Sequence, residues 1–296
     1  VPHFEKMLYD NAFLARAYTQ AYQVTGKKEY ADTVRKTLDY VLRDMTSEEG
    51  GFFSAEDADS DLPEGGHAEG AFYVFTPEQV LAVVPGDEGK ILCRALGVVE
   101  GGNYTPVEKD EPRGKSVLHV ATDIATLAKE FEKSEEEIAK ILREGKAKLF
   151  EVREKRPRPG LDDKVLSDWN GLMIGGLAKV GGALEDSTIV DAAMRAADFV
   201  LSQMVESNRL YATWREDRRG TLGFLDDYAF FANGLLDLYE VTGIRRWLEA
   251  AVRFISLIPE LFPYEGGGFT FASIEHDGLP TKSRTAVDGA SPSGNA

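Results

Sequence analysis

The sequence repeats itself with a period near 60 residues, and that restricts the fold more than any other feature. Asp168 to Asp227 is 59 residues and Asp227 to Asp288 is 61. Asp10 to Gly26 and Asp227 to Gly243 are each 16 residues, and Val24-Thr25-Gly26 recurs letter for letter as Val241-Thr242-Gly243. Each period holds two helix-like stretches and a glycine-rich corner, the mark of a solenoid or ring of helical hairpins.

The first unit covers residues 9–60. Leu14, Tyr18, Ala21 and Tyr22 fall at helical spacing, and Gly26 breaks the helix. A second helix opens near Lys28, with Tyr30, Val34 and Leu38 on its apolar side, and Gly50-Gly51-Phe52-Phe53 closes the unit. Residues 225–278 repeat the plan. Phe231, Leu235, Leu238 and Tyr239 line the first helix, Trp247 stands where Tyr30 stood, and Gly266-Gly267-Gly268-Phe269 forms the corner. Residues 167–219 are a looser copy, with Met173, Leu177 and Val180 on one helix, Ala193, Ala197 and Val200 on the next, and Arg209-Leu210-Tyr211 at the close.

Residues 61–166 interrupt the series. Ala71-Phe72-Tyr73-Val74-Phe75 reads as a strand, and helices are expected near 77–84, 88–96, 122–131 and 134–155. Thr76-Pro77-Glu78 and Ser134 with Glu135-Glu136-Glu137 are strong helix starts, and 100–116 is a glycine-, proline- and charge-rich loop. The expected fold is all-α: an (α/α)6 toroid of helical hairpins, incomplete in this chain, with short β-hairpin and loop insertions at one mouth. The expected organisation is one barrel domain over residues 1–296, truncated at both ends, with 61–166 as insertion and further hairpin material.

Charge narrows the partners. Thirty-four basic against 50 acidic residues leave a net charge of −16, which argues against phosphate backbones and anionic lipid surfaces. The single cysteine, Cys93, lies in an apolar run and reads as a small buried hydrophobe. No CxxC or zinc-ligand array is present. The sequence therefore calls for no metal and no cofactor, and a reducing, cytoplasmic setting fits it.

Acids recur at the helix starts. Ser167-Asp168-Trp169-Asn170-Gly171, Asp10-Asn11-Ala12, Asp227-Tyr228-Ala229 and Asp288-Gly289-Ala290 each place an acid just before an apolar helix. Such an acid caps orphaned amides. Equivalent helix starts in a ring also gather at one mouth, where crowded carboxylates push one another's pKa apart into an acid and a base. Glu56-Asp57-Ala58-Asp59-Ser60-Asp61 opens like a calcium loop, but Leu62 and Ala68 stand where glycine and glutamate are needed. These acids read instead as mouth residues suited to sugar hydroxyls. His67, Glu69 and Tyr73 lie in an aromatic stretch that is either core or, with Trp169, a stacking platform. His3 is either a packed histidine or a base, and His119 and His276 have less suggestive surroundings.

Val1-Pro2-His3-Phe4-Glu5-Lys6-Met7-Leu8-Tyr9-Asp10, Phe52 through Ser60, Glu69 through Tyr73 and Asp162 through Gly171 resemble the signature segments of the YyaL-type family, also described as spermatogenesis-associated, thioredoxin-domain-containing proteins. The resemblance implies an (α/α)6 barrel like that of N-acylglucosamine 2-epimerases and six-hairpin glycosidases. It also implies a thioredoxin-like domain in the full-length protein, absent from this chain together with the last hairpins. The function expected is a carbohydrate-active barrel, a glycoside hydrolase or sugar epimerase. Asp168, Asp227 and Asp10 are the catalytic candidates, one of Asp168 and Asp227 as acid and the other as base. His3, Asp57, Asp59, His67, Glu69, Tyr73, Trp169 and Asn170 would hold a small sugar or sugar derivative, with no nucleic acid or membrane partner. The alternative is a non-catalytic barrel that binds a ligand or partner for the thioredoxin-like domain.

Overall fold

The structure, a computed structural model, describes residues 3–62, 65–104, 113–279 and 283–296. Val1 and Pro2 of the opening motif, and 105–112 of the glycine-rich loop, lie outside the described residues. The helices are α1 (Leu8–Thr25), α2 (Lys28–Asp44), α3 (Pro77–Val83), α4 (Gly86–Leu96), α5 (Ile124–Glu130), α6 (Glu135–Arg153), α7 (Ser167–Leu184), α8 (Ser187–Gln203), α9 (Leu225–Thr242) and α10 (Arg245–Leu261). The strands are β1 (Lys6–Met7), β2 (Phe53–Glu56), β3 (Asp59–Asp61), β4 (His67–Glu69), β5 (Leu161–Leu166), β6 (Val205–Glu206), β7 (Arg209–Leu210), β8 (Thr213–Arg215) and β9 (Arg218–Arg219). The chain divides into two compact units, one of residues 6–55 with 162–296 and the other of 1–5 with 56–161.

The first of these units is the hairpin series. Its three inner helices, α1, α7 and α9, are each 18 residues long, and its three outer helices, α2, α8 and α10, are each 17. Helix α7 packs against both α1 and α9, and each inner helix packs on the outer helix that follows it. Contacts run in the same order along all three inner helices. Tyr9 meets Trp169 at one end, Gly171 meets Phe230 and Phe231, and Gly182 meets Val241 near the other end. The inner helices are therefore parallel and start at a common end, the wall of an (α/α) barrel.

The repeated letters carry repeated bonds. Gly26 and Gly243 end α1 and α9 at φ 68° and 65°, a left-handed cap that glycine adopts without strain. Thr25 and Thr242, one residue earlier, both turn their hydroxyls back onto a carbonyl four residues upstream. Each outer helix then ends in the same corner. Phe53 N–H donates to the Met45 carbonyl (2.8 Å), Tyr211 to Met204 (2.9 Å) and Thr270 to Phe262 (3.0 Å).

Three expectations for these hairpins need correction. Leu14 does not face the core; it is 48% exposed, and α1 buries Leu8, Ala12, Ala15 and Thr19 instead. Small side chains let α1 approach α7 closely, since a methyl on Gly176 would sit 3.3 Å from the Ala12 carbonyl. The acids are not N-caps. Met7, Leu166 and Phe224 hold those positions, and Asp10, Asp168 and Asp227 lie in the first turns, where a carboxylate also favours the helix dipole. Asp288 heads no helix. Residues 283–296 are irregular, and Asp288 Oδ1 accepts the Ser293 N–H (3.0 Å). Pro292, which disfavours helix in the residue before it, opposes a helix there.

The second unit packs α3 to α6 around Phe75, Val80, Ile91, Leu92, Leu127, Ile138 and Leu149. Both expected helix starts form, and each closes as a capping box, Thr76 with Gln79 and Ser134 with Glu137. The strand expected at 71–75 does not form. The chain turns at Gly70 (φ 72°), and Arg156 Nη1 donates to the carbonyls of Phe72 and Val74 at 2.8 Å and of Ala71 at 3.4 Å. One guanidinium replaces a ladder, while Phe72 and Phe75 are buried as core. The strand pairing here is β3 with β4, Asp59 opposite Glu69.

Candidate functional site

Strand β5 delivers the chain to α7. Val165 pairs with Trp214 of β8, and the Ser167 N–H donates to the Ala212 carbonyl (3.0 Å), which fixes where the helix begins. Asn170 locks the same turn. Its Nδ2 donates to the carbonyls of Leu166 (2.8 Å) and Phe52 (3.0 Å), and its Oδ1 accepts the Phe52 N–H (2.9 Å). At 0% exposure, with both ends of its amide engaged, Asn170 is a structural pin and not a sugar ligand.

Asp227 is buried and saturated. Oδ1 accepts the Ser167 hydroxyl (2.6 Å) and the Asp168 N–H (3.1 Å), and Oδ2 accepts the Phe224 N–H (2.7 Å). Burial pushes its carboxyl up to about 6, the charge of Asp226 adds to the rise, and the three donors hold it back. Asp168 is half-buried and accepts the Trp169 N–H (2.7 Å) at Oδ1. Burial raises its pKa well above the usual carboxylate range, and the charge of Asp227 raises it further. Asp226 is also raised by burial, and its Oδ1 accepts the Gly294 N–H (2.8 Å). The arrangement separates the two central acids. Asp227 has the donors that stabilise a carboxylate, so Asp168 is the one that keeps its proton.

Partly buried aromatics stand beside the pair. Trp169 meets Tyr9 edge-on at 4.8 Å, and Tyr9 lies 6.5 Å from Phe13. Asp10 is the third residue of α1, as Asp227 is of α9, and it is exposed. Deeper along the inner helices Asp237 pairs with Arg16 and, at 3.1 Å, with Lys179, tying α9 to α1 and α7. Ser167, Tyr9, Phe13 and this ion network are not among the site residues that the sequence suggests. Aligning the three 18-residue helices would have found Tyr9, which occupies the place of Asp168.

The remaining candidates lie in the other unit, among themselves. His3 is flanked by Glu69 (3.2 Å) and Glu5 (3.1 Å), and its pKa is raised by those two hydrogen bonds, Glu69 first. Asp57, Asp59, Ser60, Asp61, His67, Arg158 and Gly160 line a cleft of about 400 Å³. Within it His67 Nδ1 lies 2.7 Å from Asp61, and Asp57 accepts the Asp59 N–H (3.1 Å). Tyr73 donates its hydroxyl to Glu56 (3.2 Å) and stacks on Phe4 at 5.9 Å, so that ring face is already covered. Burial, then Glu56, drives the Tyr73 pKa upward. Among the described residues no group of three or more His, Cys, Asp or Glu is placed to hold a metal ion, and no helix is long and apolar enough to cross a membrane.

No family model matches the chain. The chain is 41% identical to human spermatogenesis-associated protein 20 and 39% identical to the mouse protein, in each case over 100% of its own length and 41% and 40% of theirs. An uncharacterized protein of Caenorhabditis elegans is 29% identical over 99% of this chain and 42% of its own length. The chain thus spans about two-fifths of the curated relatives it matches. Similar solved structures include a D-mannose isomerase (14% identity, TM-score 0.38, 90% of this chain and 64% of that one) and a polysaccharide lyase (11%, 0.47, 97% and 57%). A third is the cellobiose 2-epimerase of Bacillus thermoamylovorans (16%, 0.35, 94% and 66%).

Proposed function

We propose that this chain, a homologue of spermatogenesis-associated protein 20 along its whole length, is a carbohydrate-active barrel in which Asp168 is the general acid. One observation carries the reading: a half-buried Asp168 whose pKa is raised by burial and by its neighbour Asp227, at the common end of three parallel helices. An acid that keeps its proton above the usual carboxylate range can give it to a glycosidic oxygen as the bond to the anomeric carbon breaks. Asp227, with both oxygens occupied, acts through Asp168 by keeping it protonated and fixing its backbone. The base that takes a proton from water is then Asp10, the exposed acid at the equivalent helix position. Trp169 and Tyr9 offer ring faces to the sugar. In the other unit His3, Asp57, Asp59, His67 and Glu69 are proposed to hold hydroxyls. We place the protein in the cytoplasm, beside a thioredoxin-like domain in the longer polypeptide.

Turnover and binding of a glycan and sugar-phosphate panel by the wild type and Asp168→Asn test this. Lost turnover with retained affinity is the expected result. Binding of a sugar without turnover by the wild type supports the second reading, a non-catalytic ligand-binding barrel, which the saturation of Asp227 also favours. No thermal shift with any sugar overturns the carbohydrate reading.

A further inference from the structure

In the unit of α3 to α6 a cavity of about 320 Å³ opens against the end of α4, helix α6 and the irregular segment 117–121. Backbone bonds fix its walls. The His119 N–H donates to the Leu96 carbonyl (3.2 Å) and the Ala121 N–H to the Ala95 carbonyl (2.9 Å), which ties the segment to the end of α4. Phe75 and Ser116 exchange both of their backbone bonds, at 3.1 and 2.7 Å. Gly145 lets α6 close on α4, since a methyl there would lie 2.3 Å from Leu92 Cδ1. A preformed cavity of this size sits at the small end of those that take organic ligands.

Its lining is apolar with a cationic edge. Lys146, Leu149, Phe150 and Arg153 fall at i, i+3, i+4 and i+7 of α6, so one stripe of the helix sets two apolar walls between two cations. Phe75, Leu96 and Leu149 are buried, and their side chains offer nothing to a sugar hydroxyl. No carboxylate is among the described residues that line the cavity, in a chain of net charge −16. The Arg153 guanidinium lies 4.8 Å from the Phe150 ring and 5.5 Å from that of Tyr73, both of them cavity walls. Its Nε and Nη2 donate to Glu154 Oε1 at 3.3 and 3.1 Å, and among the described residues Nη1 meets no acceptor. Glu154 also pairs with Arg158 (2.8 Å), so one carboxylate answers two cations. Arg156 stands 4.1 Å over the Phe75 ring and gives its bonds to neutral carbonyls.

We propose that this cavity binds a small carboxylic acid with an aryl or short aliphatic body. The carboxylate accepts from Arg153 Nη1 in the field of Lys146 and Arg156, and the body packs on Phe75, Leu96 and Leu149. A guanidinium already held by Glu154 and two rings loses little freedom on binding. A phosphate would give up more water than this one nitrogen replaces. The proposal rests on no sugar chemistry at Asp168.

The test titrates 4-phenylbutyrate into residues 1–296, followed by methyl NMR of Leu96, Leu118 and Leu149. The acid should bind at roughly millimolar concentration or below. The uncharged match, 4-phenylbutan-1-ol, should bind about tenfold more weakly. Val120→Trp, at a wall position that is 80% exposed, should fill the cavity and abolish the shifts while Tm holds. Arg153→Met should weaken the acid about tenfold and leave the alcohol unchanged. Should that variant fail to fold, the exposed Lys146→Gln replaces it, with a smaller loss for the acid alone. Absent methyl shifts, equal affinity for acid and alcohol, or displacement of the acid by equimolar glucuronate or inorganic phosphate overturns the proposal.

Discussion

Asp168 donates its own backbone N–H to Oδ1 of Asp227 at 3.1 Å, so the two acids are joined through the main chain of one and the side chain of the other. Moving the Asp227 side chain therefore disturbs the backbone that carries Asp168. The Ser167 hydroxyl completes the grip at 2.6 Å and takes an oxygen of Asp227 that a substrate would otherwise need.

That relationship sets a pH signature. A carboxyl whose folded pKa is raised binds its proton more tightly in the native state, so its contribution to stability falls as pH rises from the unfolded value through the folded one. For Asp227 the window runs from 3.8 to about 6, and Asp168 is shifted in the same direction. Asp168→Asn keeps the acceptor for the Trp169 N–H and removes the ionisation. It should raise Tm at pH 7–8 by a few degrees, about 2–4 °C per kcal/mol. The gain should vanish near pH 4, in unfolding curves taken across that range.

Helices α7 and α9 touch main chain to main chain. A methyl on Gly234 would lie 2.3 Å from the Gly171 carbonyl oxygen, and one on Gly171 would lie 2.5 Å from the Phe231 nitrogen. Alanine gains about 1 kcal/mol of helix propensity, but here it must push two backbones apart. Gly234→Ala should cost a net ~1–3 kcal/mol in chemical denaturation. A neutral result would mean the helices are farther apart than described.

Arg156 holds the 71–74 turn through three carbonyls. Lysine keeps the charge but not the planar guanidinium, which lies 4.1 Å over the Phe75 ring while Nη1 reaches the carbonyls. Arg156→Lys should therefore destabilise by about 1–3 kcal/mol, the cost of leaving a buried carbonyl unpaired. Faster amide exchange around Phe72 to Phe75 would localise the damage.

His3 is exposed, so its shift reports hydrogen bonding and little else. Its imidazole should titrate above 6.5 by NMR, and Glu69→Gln should bring the midpoint down. A midpoint that ignores the Glu69 substitution would show that the contact does not persist in solution.

The hairpins were legible because their signals are local. Val24-Thr25-Gly26 and its copy specify a left-handed cap within three residues, and Ser134 with Glu137 specifies a helix start within four. Misreadings arose where partners are distant. Asn170 looks like a site residue until the Phe52 backbone, 118 positions away, is found in its amide. Asp227 looks like a base until Ser167 and Phe224 occupy its oxygens. The aromatic run at 71–75 alternates like a strand, and only Arg156 reveals that its carbonyls are taken. Leu14 misled for another reason: where two helices approach closely, alanine and threonine fill the seam and the larger side chain is turned out.

Eighteen residues at 3.6 per turn make five whole turns, so the residue that follows each inner helix, Gly26, Glu185 or Gly243, falls at the angle at which the helix began. Asp168 sits one residue nearer its helix start than Asp10 and Asp227 do in theirs, which swings it by about 100°. A single inserted residue at the head of α7 would swing it again by the same amount. A change of length in a connecting loop leaves these angles alone, whereas a residue gained or lost within one of the three rods re-aims every side chain beyond it.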